Sequence, residues 1–171
     1  RGARGGRLVG HGRGIVGHAA ALALHAMGLR VSIAADEARV ATARADIRAY
    51  AIGAASQALL GRVGAWQRLP ADAFTPVYDM HIEGDSGSSA LEFSAWQQRV
   101  RELACIVEAG ALELALAQQV DDAGIARVHV EQRVHVEQRV PSASAPAGAA
   151  LSVIAEGKAS ALREHLGVRF D

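Results

Sequence analysis

Arg7-Leu-Val-Gly-His-Gly-Arg-Gly-Ile-Val-Gly17, running on into His18-Ala-Ala-Ala-Leu-Ala-Leu-His-Ala-Met27, is the stretch that decides the fold of this chain. Arg7 to His11 is a short strand candidate. Gly12, Gly14 and Gly17 follow it in a G-x-G-x-x-G spacing, and the run to Met27 is rich in strong helix formers and apolar on most faces. Gly28 stops that helix as a C′ glycine, and Leu29 to Ala34 is a second strand candidate. Strand, glycine turn, helix, glycine and strand make a βαβ unit, with a right-handed crossover expected. The spacing alone is a weak signal in an Ala- and Gly-rich chain; between a strand and a helix it becomes informative. In that setting the first glycine permits the tight turn, the second lets backbone approach a pyrophosphate, and the third lets helix and strand pack closely. The helix N-terminus adds free N–H groups and the positive end of the helix dipole.

A dinucleotide site of this kind holds the ribose hydroxyls with a carboxylate at the end of the second strand, about 20 residues on. Asp36 stands at that distance, with Glu37 beside it. It is read either as the ribose ligand or as a solvated loop acid, because the position where the acid would sit most naturally, 35, is alanine.

Composition narrows the function classes. Of 171 residues, 50% are apolar but only 4% aromatic, which suits close helix-on-sheet packing better than a sandwich of bulky side chains. Lys plus Arg balance Asp plus Glu at 18 each, so no global field recruits nucleic acid or an anionic membrane. The single cysteine, Cys105, excludes an internal disulfide and a Cys-x-x-Cys pair, and fits a reducing, cytoplasmic setting. Ile15 to Leu29 has the length of a signal-peptide core, yet Gly17, His18, His25 and Gly28 interrupt it and no small-residue cleavage site follows. It is read as a buried helix.

Further along, Asp46 to Trp66 reads as a loop leading into a helix at roughly Ala54 to Val63. Residues 75–96 change character: Val77 to Ile82 and Leu91 to Ala95 flank Gly84-Asp-Ser-Gly-Ser-Ser89, an antiparallel β-hairpin pattern. Glu108 to Val120 is a second long helix, amphipathic through Leu112, Leu114, Leu116 and Val120. Arg127-Val-His-Val-Glu-Gln132 is then duplicated as Arg133-Val-His-Val-Glu-Gln138. The even length keeps strand alternation in phase, so a strand lengthened by local duplication is expected. Residues 141–148 are a small-residue loop or linker, Leu151 to Ala155 a buried-strand candidate, and Lys158 to Leu166 a short helix.

Taken together, several segments resemble the N-terminal part of the flavin-dependent aromatic hydroxylases. They are the glycine turn with its helix, Asp46-Ile-Arg-Ala-Tyr-Ala-Ile-Gly-Ala-Ala-Ser-Gln-Ala-Leu-Leu60, and Gly64-Ala-Trp66. Pro76 to Met80, Leu91 to Trp96 and Ile106-Val-Glu108 followed by Leu112 are similar in order and spacing to the ubiquinone-biosynthesis hydroxylases of the 2-polyprenylphenol or 2-octaprenyl-6-methoxyphenol type. Ala155-Glu-Gly-Lys-Ala-Ser-Ala-Leu-Arg163 resembles the family's Asp-Gly motif, which contacts both the flavin and the pyridine nucleotide. The resemblance implies an α/β, Rossmann-like FAD-binding domain over residues 1–171, with the inserted hairpin at 75–96 and its C-terminal part incomplete. It implies FAD as cofactor, NAD(P)H as reductant and an aromatic, quinone-precursor substrate; the cofactor carries the chemistry, so no triad or metal cluster is required. Gly12, Gly14, Ile15, Val16, Gly17, Asp36, Arg48, Glu156 and Gly157 are the implied cofactor-binding residues, with Arg48 matching the arginine on the flavin side. A protein peripheral to the inner membrane, or held in a biosynthetic complex, goes with such a substrate.

Departures from the family pattern point to a truncated or degenerate copy. Glu156 replaces the first acid of the Asp-Gly motif and is one methylene longer. Ala109-Gly110 stands where the family places Asn-Arg, and position 35 lacks its acid. The chain also starts without Met and stops at Asp171, before the family's second Gly-Asp motif. A non-catalytic remnant with weak or no nucleotide binding is therefore one alternative. An NAD(P)-dependent Rossmann oxidoreductase is another, although the hairpin breaks the continuous β/α alternation it would need. His129, Glu131, His135 and Glu137 share one strand face, about 6.6 Å from i to i+2, but duplication alone explains their clustering and no metal is expected. His11, His18 and His25 are read as core or boundary histidines, Cys105 as a buried inert thiol, and Asp79, Glu83 and Asp85 as solvated edge charges.

Overall fold

The computed structural model describes residues 7–12, 14–35, 47–85, 90–129, 149–157, 160, 163–164 and 166–168. The chain divides into two compact units, Arg1–Arg44 with Leu116–Asp171, and Ala45–Ala115.

In the first unit, β1 (Arg7–His11), β2 (Val31–Ala35), β8 (Ala126–His129) and β9 (Ala149–Ile154) form one sheet in the order β8-β2-β1-β9, every neighbouring pair parallel. Helix α1 (Ile15–Ala26) connects β1 to β2 and lays Gly17, His18, Ala21 and Leu22 against the sheet. It begins three residues before the run of strong helix formers. The β-branched Ile15 and Val16 hide that start from a propensity reading, and Val16 is 69% exposed. Its end is set by Gly28 at φ +81°, whose N–H donates to the His25 carbonyl while Leu29 N–H donates to the Leu24 carbonyl. That doubly bonded glycine stop is the Schellman motif. As an interior strand, β2 buries Ser32, Ile33 and Ala34 in succession, without the alternation of a half-solvated strand. Leu151 to Ala155, expected as a buried strand, belongs instead to β9 at the rim of the described sheet, and Leu151 is 53% exposed.

In the second unit, β3 (Ala49–Ile52), β7 (Ala104–Glu108) and β4 (Phe74–Val77) form an antiparallel sheet in the order β3-β7-β4. Helix α2 (Ala54–Arg62) follows β3, and β5 (Asp79–Glu83) pairs with β6 (Ala90–Ser94) as the antiparallel hairpin. A short helix, α3 (Ala95–Gln98), follows the hairpin. Neither β3 nor β7 stands out in the sequence, since each is short and β3 is half alanine. Cys105 and Val107, 2% and 0% exposed, occupy one face of β7, and Ile106, on the other, is half-exposed.

The division between units falls within α4 (Ala109–Asp122). Leu112, Leu116 and Val120 on this helix are fully buried at four-residue spacing, whereas Leu114 is 59% exposed. Leu114 therefore lies off the apolar stripe: two residues turn a helix by about 200°, onto the opposite side. Most of the duplicated strand and the 141–148 linker lie outside the described residues. Among the described residues no helix is long and apolar enough to cross a membrane, and no group of His, Cys, Asp or Glu is placed to hold a metal.

Burial raises the pKa of the Cys105 thiol above its ordinary value; the Glu102 carboxylate adds to the rise and Arg101 offsets part of it. A thiol-specific reagent at mildly alkaline pH should label Cys105 slowly in the native chain and completely in denaturant. The folded thiol keeps its proton where the unfolded one loses it, so Cys105's contribution to stability should fall as pH rises past the ordinary thiol range, about 8.5. Leu112→Ala should cost about 2–5 kcal/mol in urea denaturation and Leu114→Ala less than about 0.5 kcal/mol.

Candidate functional site

The register of β1 and β9 builds the candidate site. His11 pairs with Ile154, so the chain leaving β1 at Gly12 and the chain leaving β9 at Ala155 come out side by side. Here the chain order reverses: from β1 it passes through α1 to β2 on one side, while β9 closes on the other. Ligands of open parallel sheets bind outside the carboxyl ends of the strands at such a switch point.

Each motif glycine meets a different surrounding. Gly12 has φ +124°, and a Cβ on it would run into the Ala155 carbonyl, with the carbonyl carbon at 2.5 Å and Glu156 N at 3.1 Å. A Cβ on Gly17 would run into the Gly12 carbonyl, with its carbon at 2.8 Å. Gly14 is the opposite case: it is exposed, and nothing lies within 4 Å of where its Cβ would be. Its backbone is extended (φ −83°, ψ −179°), and its carbonyl accepts the first helical bond, from His18 N–H at 3.1 Å. Two glycines thus close backbone on backbone, and the third leaves an open approach.

Helix α1 begins at that opening. Gly14, its N-cap, makes no side-chain bond to the first turn, and that turn carries no acid. The N–H groups of Ile15, Val16 and Gly17 lie in the turn that has no intrahelical acceptors. With an open glycine in front of them, they fit a phosphate group.

The opposite wall comes from the Ala155-Glu-Gly157 segment. Ser160 Oγ donates to Glu156 Oε2 at 2.7 Å and accepts from Arg163 N–H at 3.1 Å. The Glu156 carboxylate is thereby tied to the turn that follows it, and Gly157 sits at φ +81°. Sequence reading singled out Glu156 and Gly157 but missed two residues here. One is Ala155, whose backbone is what Gly12 must clear. The other is Ser160, buried at 3% exposure, whose signal was a hydroxyl four residues after an acid.

Asp36 lies outside the described residues. Arg48 belongs to the second unit, just before β3. There its Nη2 is 3.5 Å from Glu113 Oε1, its Nη1 donates to Tyr50 Oη at 3.4 Å, and its carbonyl accepts from Ala109 N–H at 2.9 Å. Gly110 is exposed, with open space where a side chain would begin. Of the motif histidines, His18 is buried on α1 and His25 exposed.

No protein-family model and no curated protein matches this sequence. Solved structures do match its fold. The p-nitrophenol 4-monooxygenase PnpA from Pseudomonas putida superposes at TM-score 0.63 with 20% identity, covering 98% of this chain and 44% of that one. A probable FAD-dependent monooxygenase from Pseudomonas aeruginosa, pqsL, gives TM-score 0.65 with 16% identity over 98% of this chain and 47% of that one. The tetrameric 2-methyl-3-hydroxypyridine-5-carboxylic acid oxygenase gives 0.56 with 16% identity, covering 74% and 32%. The chain therefore spans about a third to a half of the length of these proteins, and shares with them a mixed α/β fold of parallel and antiparallel sheets.

Gly12→Ala should destabilise the chain by about 2–4 kcal/mol, from overpacking and backbone strain together. Gly14→Ala should cost no more than about 1 kcal/mol, since its backbone is ordinary and its surroundings empty, and only a favoured N-cap residue is lost. Urea unfolding followed by circular dichroism checks both, and equal effects would contradict the division of labour among the glycines.

Proposed function

We propose that this chain is the FAD-binding portion of a flavin-dependent monooxygenase that hydroxylates the aromatic ring of a polyprenyl phenol, of the ubiquinone-biosynthesis type. The observation that carries the reading is the glycine turn. Gly12 and Gly17 are closed by backbone, and Gly14 is left open in front of an uncapped helix start. The solved monooxygenases of the same fold and the sequence resemblance turn a general dinucleotide site toward FAD.

In this proposal the N–H groups of Ile15, Val16 and Gly17 hold the pyrophosphate, and Gly14 allows its approach. Asp36 takes the ribose hydroxyls. The Ala155–Gly157 segment serves the flavin side. Bound FAD, reduced by NAD(P)H, would supply the oxygen-activating chemistry. The protein's part is to bind and orient the cofactor and to keep water away from it. Binding through backbone donors and a helix dipole suits a chain with no net charge, since the anion is met by local rather than global positive potential. An aromatic quinone precursor as substrate, and attachment to a membrane surface or a biosynthetic complex that delivers it, complete the proposal.

One observation favours a second reading, a remnant that binds nucleotide weakly: Gly110, where the resemblance places a cofactor-contacting arginine, offers only open space. Titrating the purified chain with FAD separates the two. Saturable quenching of flavin fluorescence with a shifted flavin absorbance band is expected, and a spectrum identical to free FAD at saturation would overturn the flavin reading. Gly14→Val should cost about 1 kcal/mol in unfolding, as a poorer N-cap, but weaken FAD binding about tenfold or more by filling the phosphate approach.

A further inference from the structure

The Ala155–Gly157 segment lies beyond β9, which ends at Ile154, and it walls the turn only if its backbone stays where Gly12 meets it. A chain of side-chain and backbone bonds ties it down. Glu156 Oε2 accepts from Ser160 Oγ at 2.7 Å, and the same Oγ accepts from Arg163 N–H at 3.1 Å. The Ser160 hydroxyl uses its one proton toward the carboxylate and a lone pair toward the backbone, so a single buried atom joins the end of β9 to the turn at Arg163–Glu164. Glu156 itself is exposed, and on its own its side chain would be free to swing in water. A hydrogen bond to a charged acceptor from a buried hydroxyl is among the stronger ones available to a surface loop.

We infer that Ser160 is a positioning residue for the nucleotide turn. It touches no phosphate; it fixes Glu156, and through it the Ala155–Glu156 backbone that Gly12 packs against. The longer acid is integral to this arrangement, since glutamate at position 156 brings its carboxylate onto the Ser160 hydroxyl. The nucleotide consequence rests on the flavin reading above, whereas the effect on the wall does not.

The experiment compares the full chain with its Ser160→Ala and Ser160→Thr variants by backbone 15N relaxation and by FAD titration. Removing a small buried hydroxyl leaves no clash, and thermal unfolding verifies that each variant folds. Ser160→Ala should lower the backbone order parameters of Glu156 and Gly157 by about 0.2 or more, with β2 unchanged, and should weaken FAD binding about three- to tenfold. Ser160→Thr, which keeps the hydroxyl, should restore both. Unchanged order parameters at Glu156 and Gly157 in Ser160→Ala would overturn the positioning role, as would a loss of order that Ser160→Thr fails to restore. If the wild-type chain takes up no FAD, the flavin reading falls. Order that is lost in Ser160→Ala and regained in Ser160→Thr would then still support the positioning role, and order that is not would overturn it.

Discussion

Two places where main chain lies directly on main chain govern the first unit. The Gly12 carbonyl occupies the space a Cβ on Gly17 would need, and the Ala155 carbonyl occupies the space a Cβ on Gly12 would need. These contacts stack three pieces of backbone, the first turn of α1, the loop after β1 and the end of β9, at spacings that a methyl group would destroy. Such closeness requires β1 and β9 to be parallel and in register at their carboxyl ends, and His11 pairs with Ile154 accordingly. It also requires α1 to start at once, without a polar cap to fill the gap. The uncapped N–H groups and the open Gly14 follow from the same geometry. An uncovered helix start is what remains when a helix begins this close to a sheet.

The order of the sheet follows from packing on both faces. A strand buried on both sides cannot show polar–apolar alternation, and Ser32, Ile33 and Ala34 in β2 show none. In the second unit the antiparallel β3-β7-β4 sheet keeps one better-buried face, with Cys105 and Val107 on β7. The β5–β6 hairpin is different again. Its paired residues Met80 with Phe93 and Ile82 with Leu91 form one apolar face, and all four side chains are 38–61% exposed. On its other face His81 meets Glu92 through Nδ1 and Glu83 through Nε2, both at 3.2 Å. These exposed pairs add little free energy, and a two-stranded ribbon is marginal alone, so β5–β6 draws its order from the chain on either side of it.

How legible the molecule was depends on which signal each part carries. Arg7–His11 and the stop at Gly28 could be read because a glycine cluster and a C′ glycine punctuate them. The start of α1 could not, since Ile15 and Val16 are β-branched and poorer helix formers than the alanine-rich run behind them. β3 and β7 are four- and five-residue strands without alternation or turn punctuation, so nothing in Ala49–Ile52 or Ala104–Glu108 distinguishes them locally. Leu114 was counted on the buried face because it is leucine, although the four-residue step through Leu112, Leu116 and Val120 excludes it. At the candidate site the glycines were visible and the wall was not. Ala155 acts through its carbonyl, and an atom every residue carries leaves no trace in sequence.

The same reasoning changes the weight of the departure at Glu156. Read as a motif, glutamate in place of aspartate is a lost ligand contact. Read as structure, the longer side chain reaches the Ser160 hydroxyl and fixes the segment that Gly12 packs on. The Glu156 carboxylate accepts from Ser160, and the segment that carries it meets Gly12 through backbone, which the length of the side chain does not alter. A site that binds by main-chain donors and main-chain shape can lose an acidic contact and keep its cradle. Erosion of such a site would show first in what the cradle discriminates, and only later in whether an anion fits it.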